Sequence, residues 1–143
     1  MAVTDLHTFG WLKEAELKPR LEAILGERLV KTAQRYDSID FVSRSYVVEL
    51  KARRKERIDE KTKAIIPVDS NSYVSWLLPV RKVEAAQLAG HRRGVFFYYY
   101  EGDGTLWQCW EDEVDWKLVY SAVPKYHHEE HYYVDKDLWA QVS

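Results

Sequence analysis

A chain of 143 residues is the size of one domain, and its 46% hydrophobic and 31% charged residues describe a globular core and surface, neither disordered nor embedded in a bilayer. The single cysteine, Cys109, excludes an internal disulfide and a thiolate-rich zinc site, while the lack of a long apolar run or a signal-peptide pattern leads us to expect a cytoplasmic protein with no membrane partner. The formal charge of −2 hides an asymmetry: residues 1–98 carry 18 Lys and Arg against 13 Asp and Glu, residues 99–143 carry 3 against 10, and the basic part suits a phosphate backbone.

From Thr8 to about Arg28 the pattern is helical, with Leu17, Leu21, Ile24 and Leu25 on one face and Gly26 as the stop. Pro19 predicts a kink, or a second helix starting near it. Residues 36–42 and 45–52 are rich in β-branched and aromatic side chains and predict a hairpin turning at Ser43-Arg44. Residues 53–63 read as an exposed loop or a solvated helical turn, 64–68 and 72–78 as further strands, and 81–89 as a short helix closed by Gly90. Residues 95–100 and 106–110 predict a second hairpin around Glu101-Gly102-Asp103-Gly104, and 116–120 one more strand.

The first hairpin carries the chemistry. Its second strand is apolar except for Glu49 and Lys51, and an isolated charge there costs several kcal/mol unless it is paired or bound to a metal. A spacing of two puts both side chains on one face of the strand. With a two-residue turn at Ser43-Arg44, position 40 pairs with 47, and Asp40 joins that face; a three-residue turn would bring Asp37 there instead. Two carboxylates beside an ammonium suit phosphodiester hydrolysis. Asp40, Glu49 and the Leu50 carbonyl are hard ligands for Mg2+ or Mn2+, Lys51 positions the attacking water, and Arg53 and Arg54 lie where flanking phosphates would run.

These residues, within YDSIDFVSRSYVVELKARR, resemble the PD-(D/E)xK nuclease superfamily, although no proline precedes Asp40. The resemblance covers about residues 10–100. It implies a restriction-endonuclease-like α/β fold: an αβββαβ core with a mixed sheet flanked by helices, extended by C-terminal strands over 101–143. The wording of the strands, with VFFYYYEGDGTLW, is also similar to small nuclease-like proteins of phages and large DNA viruses. The function implied is Mg2+-dependent cleavage of DNA by a possible homodimer, with an endonuclease expected ahead of an exonuclease and the sequence itself leaving the two open. The alternative is an inactive nuclease-fold module that binds nucleic acid or protein. Many members of the superfamily bring a glutamate from the first helix, for which Glu22 is the first candidate and Glu16 the second, and Gln87 on the second helix is a candidate substrate contact. His127, His128 and His131 with Glu129 and Glu130 match no zinc spacing and read as a loop before the last strand.

Overall fold

The computed structural model describes residues 6–32 and 39–143, and Asp37 lies outside them. Helix α1 (Leu6–Leu25) leads through β1 (Val30–Lys31) and β2 (Phe41–Val42) into the long β3 (Tyr46–Arg53). A ribbon, β4 (Glu56–Ile58) with β5 (Ile65–Pro67), precedes β6 (Ser75–Pro79), helix α2 (Val80–Gln87), β7 (Arg93–Tyr100) and β8 (Thr105–Trp110). The chain finishes with β9 (Ser121–Ala122), β10 (His131–Asp135) and β11 (Ala140–Gln141). The main sheet runs β1-β2-β3-β7-β8-β11, with β3 and β7 parallel and the other pairs antiparallel. A parallel pair needs a crossover, and β4 to α2 supply it. The architecture is a mixed α/β fold, as expected at that level.

β7 divides the core. Its alternate residues Val95, Phe97 and Tyr99 join Leu17 and Leu21 of α1 with Phe41, Val48 and Leu50. Phe96, Tyr98 and Tyr100 face the other way, against Val47, Trp76, Leu78, Val83 and Trp139. A strand apolar on both faces is what a sheet covered on both sides demands. Helix α2 lies close on β7 because residue 94 is glycine: a Cβ there would stand 2.9 Å from the Ala86 Cβ and 3.2 Å from the Glu111 Cβ.

Several expected elements fall differently. Helix α1 is continuous through Pro19, whose side is exposed while Leu17 and Leu21 are buried, so packing of the apolar stripe outweighs the lost backbone bond. It ends at Gly26, φ +71°, with the Gly26 N–H bonded to Glu22 O at 2.8 Å. The stretches read as further strands, 64–68 and 72–78, do not extend the main sheet. Residues 65–67 pair with 56–58, inside the expected loop, and β6 pairs with β10 in a separate sheet, β6-β10-β9. The strand beside β2 is instead β1, two residues too short to carry a periodic signal. The strand expected at 116–120 is a 3₁₀ turn, Trp116–Leu118, capped by Asp115, which accepts the Lys117 N–H at 3.2 Å. No described helix is long and apolar enough to cross a membrane.

Candidate active site

The site begins with a hairpin whose turn is fixed from outside. The Glu27 carboxylate, just beyond α1, accepts from Ser43 Oγ at 2.7 Å, Ser45 N at 2.9 Å and Ser45 Oγ at 2.5 Å. Ser43 N donates to Tyr46 O at 2.9 Å, which closes the turn over Arg44-Ser45 rather than Ser43-Arg44. Phe41 therefore pairs with Val48 and Val42 with Val47, two places away from the expected register. A shift of two preserves the side-chain faces, so the error leaves Asp40 on the side of Glu49. Asp40 N donates to Val48 O at 3.1 Å while its Oδ2 accepts from Leu50 N at 2.8 Å, so the carboxylate lies alongside residue 49.

Three carboxyl groups converge here. Glu49 is 3% exposed, Asp40 9% and Glu14, from α1, 7%. Burial raises the Glu14 pKa to about 7, the neighbouring Asp40 adds to the rise, and Lys31 Nζ, 2.7 Å from Glu14 Oε2, opposes it. Burial and Asp40 likewise hold Glu49 well above the usual carboxyl range, against the pull of Lys82. Lys82, on the first turn of α2, forms an ion pair with Glu49 Oε1. Burial works against its charge, but Glu49 and Asp40 outweigh that and raise its pKa. Glu49 Oε2 is buried with no hydrogen-bond partner among the described residues. Lys51 is half-buried, and burial together with Arg53 and Lys82 brings its ammonium down to about 8.

Arg53 continues the face of Glu49 and Lys51 along β3, and its Nε donates to Tyr98 Oη at 3.2 Å. Arg54 turns to the opposite face, over the Phe9 ring of α1 at 5.2 Å, so the two arginines do not act as a pair. The helix glutamate at the site is Glu14. Glu22 instead accepts from Leu29 N at 2.8 Å, and the exposed Glu16 pairs with Lys13 at 2.9 Å. Gln87 ends α2 exposed to solvent, away from the face that presents Lys82.

Sequence reasoning missed Glu14, Lys82 and the histidines. Glu14 stands three residues before Leu17 and seven before Leu21, on the buried stripe of α1, and that spacing was its signal. Lys82 sits beside buried Val83 and four residues before buried Ala86, a weaker cue. No local pattern foretells that β10 returns next to β6 and brings His131 to the start of α2, where Val80 N bonds Glu130 O at 3.0 Å. His131 is 3% exposed, with Nδ1 3.0 Å from Glu129 O and its ring 4.7 Å from that of His127. Burial lowers the pKa of both, and the positive charges of Lys51 and Arg53 lower them further. The segment read as a plain loop therefore borders the basic rim of the site.

No family model, curated protein or solved structure matches this chain. The chemistry must be read from its own residues. Among those described, no three His, Cys, Asp or Glu side chains form a group able to hold a metal ion as they stand. The donors at Asp40 and Glu49 are nonetheless hard oxygens, one of them buried and unpartnered, and that chemistry fits a divalent cation once Lys82 gives way.

Proposed function

We propose that the chain is a metal-dependent nuclease of the PD-(D/E)xK type, acting on DNA through Asp40, Glu49 and Lys51. The observation that carries this reading is the Asp40 carboxylate held alongside Glu49, with Lys51 two residues on along the same face. The element order α1, β1, β2, β3, α2, β7, with β3 parallel to β7, supports a restriction-endonuclease-like αβββαβ core, the remaining strands being insertions and a C-terminal extension.

Asp40 and Glu49 would hold Mg2+ or Mn2+, with Glu14 as the third carboxylate nearby. A bound divalent cation would supply Lewis acidity toward phosphate and water. The other parts belong to the protein. Lys51, at about 8, keeps a proton through neutral pH and offsets negative charge developing at the scissile phosphate. Arg53, steadied by Tyr98, receives an adjacent phosphate. Lys82 orients Glu49 and holds its charge until the cation does so.

The test is incubation of the purified protein with single-stranded, duplex and branched DNA, with and without Mg2+ or Mn2+. Cleavage by the wild type that is lost in Glu49→Ala and Lys51→Ala is the expected result; equal inertness of all three on every substrate overturns it. A second reading, a binding module with the same fold and no catalysis, draws on the Lys82–Glu49 ion pair, which already gives the carboxylate a cationic partner without a metal. Under that reading calorimetry detects no Mg2+ or Mn2+ binding dependent on Asp40 and Glu49.

A further inference from the structure

An open pocket of about 520 Å³ lies beside the proposed site, walled by β6, the end of β7 and β10. That volume is in the range of small-molecule sites. Its connection to the site is Arg53, which lines the pocket and shares the face of Glu49 and Lys51. Aromatic rings dominate the rest. Tyr73, 38% exposed, and Tyr133 stand at the wall, and Trp76 and Tyr100, each 1% exposed, form the inner side.

Two polar atoms of those inner residues have no partner. Trp76 Nε1 and Tyr100 Oη are both buried and find no hydrogen-bond partner among the described residues. Buried donors are almost always satisfied, so two orphaned ones, both enclosed behind residues that wall a single pocket, point to an acceptor brought by a ligand whose entry uncovers them. The ligand must then be flat enough to stack on tyrosine, must carry acceptor atoms at its edge, and must be attached to something anionic that meets Arg53. A phosphodiester-linked nucleobase has all three properties.

We propose that this pocket is a nucleobase subsite, taking one unpaired base of the strand whose backbone crosses Lys51 and Arg53. The inference rests on the nucleic-acid reading above but not on hydrolysis. The base stacks against Tyr73 and, as the wall shifts to uncover them, accepts from Tyr100 Oη and Trp76 Nε1, while Arg53 holds the phosphate next to it. A duplex would have to release that base first, so single-stranded or branched DNA is the preferred form.

The experiment is fluorescence anisotropy in EDTA, with no cleavage possible, on a labelled thymidine oligonucleotide and on a matched strand carrying abasic sites. The wild type should bind the intact strand roughly 5- to 150-fold tighter, the worth of one stacked base. Tyr73→Ala, a change at an exposed position, should weaken the intact strand toward the abasic one and leave the abasic strand unchanged. Tyr100→Phe, which removes only the hydroxyl, should alter the ranking among thymidine, cytidine and adenosine strands. Arg53→Met should weaken both strands alike. Equal wild-type affinity for intact and abasic strands overturns the proposal, as does discrimination that Tyr73→Ala and Tyr100→Phe leave untouched. No saturation by any strand up to roughly 0.1 mM, the weak end of non-specific binding, assigns the pocket to another ligand class and also overturns it. Base discrimination without cleavage in the metal assay would sink hydrolysis while leaving the subsite standing; cleavage without base discrimination does the reverse.

Discussion

Replacing Glu14 by Gln should make the metal-free protein more stable, and increasingly so as the pH rises. The side chain keeps its shape, and the amide oxygen can still accept from Lys31. In the folded chain the Glu14 carboxyl titrates at about 7 instead of its usual 4.5, because it is buried and faces Asp40. Below 4.5 both folded and unfolded states carry the proton, and the group costs nothing. Between 4.5 and about 7 the folded state holds a proton that the unfolded chain has released, so stability falls as the pH climbs, and above about 7 the loss is complete. At 1.36 kcal/mol per pH unit the full loss is about 3 kcal/mol, and sharing of charge among three carboxyls makes about 1–3 kcal/mol the working range. For a domain of this size that is a rise in melting midpoint of roughly 3–10 °C. Urea or thermal unfolding in EDTA at pH 4 and pH 8 reads it directly. Glu14→Gln less stable than the wild type at pH 8, or a difference that is the same at both pH values, would refute the reasoning.

Lys82→Met should act in the opposite direction, because it leaves the buried Glu49 without its ion-pair partner. Proton uptake by Glu49 limits the damage, so a loss of about 1–3 kcal/mol at pH 8 should shrink at pH 5, and denaturant midpoints at the two pH values check it. Mg2+ should bind more tightly as the pH rises from 6 to 8 with release of protons, since the cation needs the ionised form of Glu49, which holds its proton unusually well; calorimetry in two buffers of different ionisation enthalpy measures this. Gly94→Ala should cost about 1–3 kcal/mol by pushing its new methyl against Ala86 and Glu111, and it should displace the helix that carries Lys82. An unchanged melting midpoint would show that α2 has room to move.

Glu49 and Lys51 were legible from alternation along one strand, a property of the backbone that needs no tertiary knowledge. Asp40 was legible through a hairpin whose register was misjudged by two places, harmlessly, since the side-chain faces repeat every two residues. The cause of the misjudgement lies outside the hairpin, at Glu27, and short-range turn rules have no term for a carboxylate sixteen residues upstream. Glu22 was favoured over Glu14 because it borders the apolar stripe; Glu14 lies on that stripe, where a charge is costly and so demands a purpose. The strands at 64–68 and 72–78 existed, but which sheet they joined depended on β10, far along the chain. The histidines reached the site by that same distant pairing.

The lysines around the acidic cluster have a consequence for the order of events in the life of the molecule. Lys82 and Lys31 each sit on a carboxylate that would otherwise repel its neighbours. The fold would therefore not depend on a cation to form, and a chelator should leave the architecture upright, unlike a zinc finger, which collapses without its ion. On the metal-dependent reading proposed above, loading would be an exchange of one positive group for another. Whatever sets the free Mg2+ level would also set how many copies stand armed, a dial separate from how many copies exist.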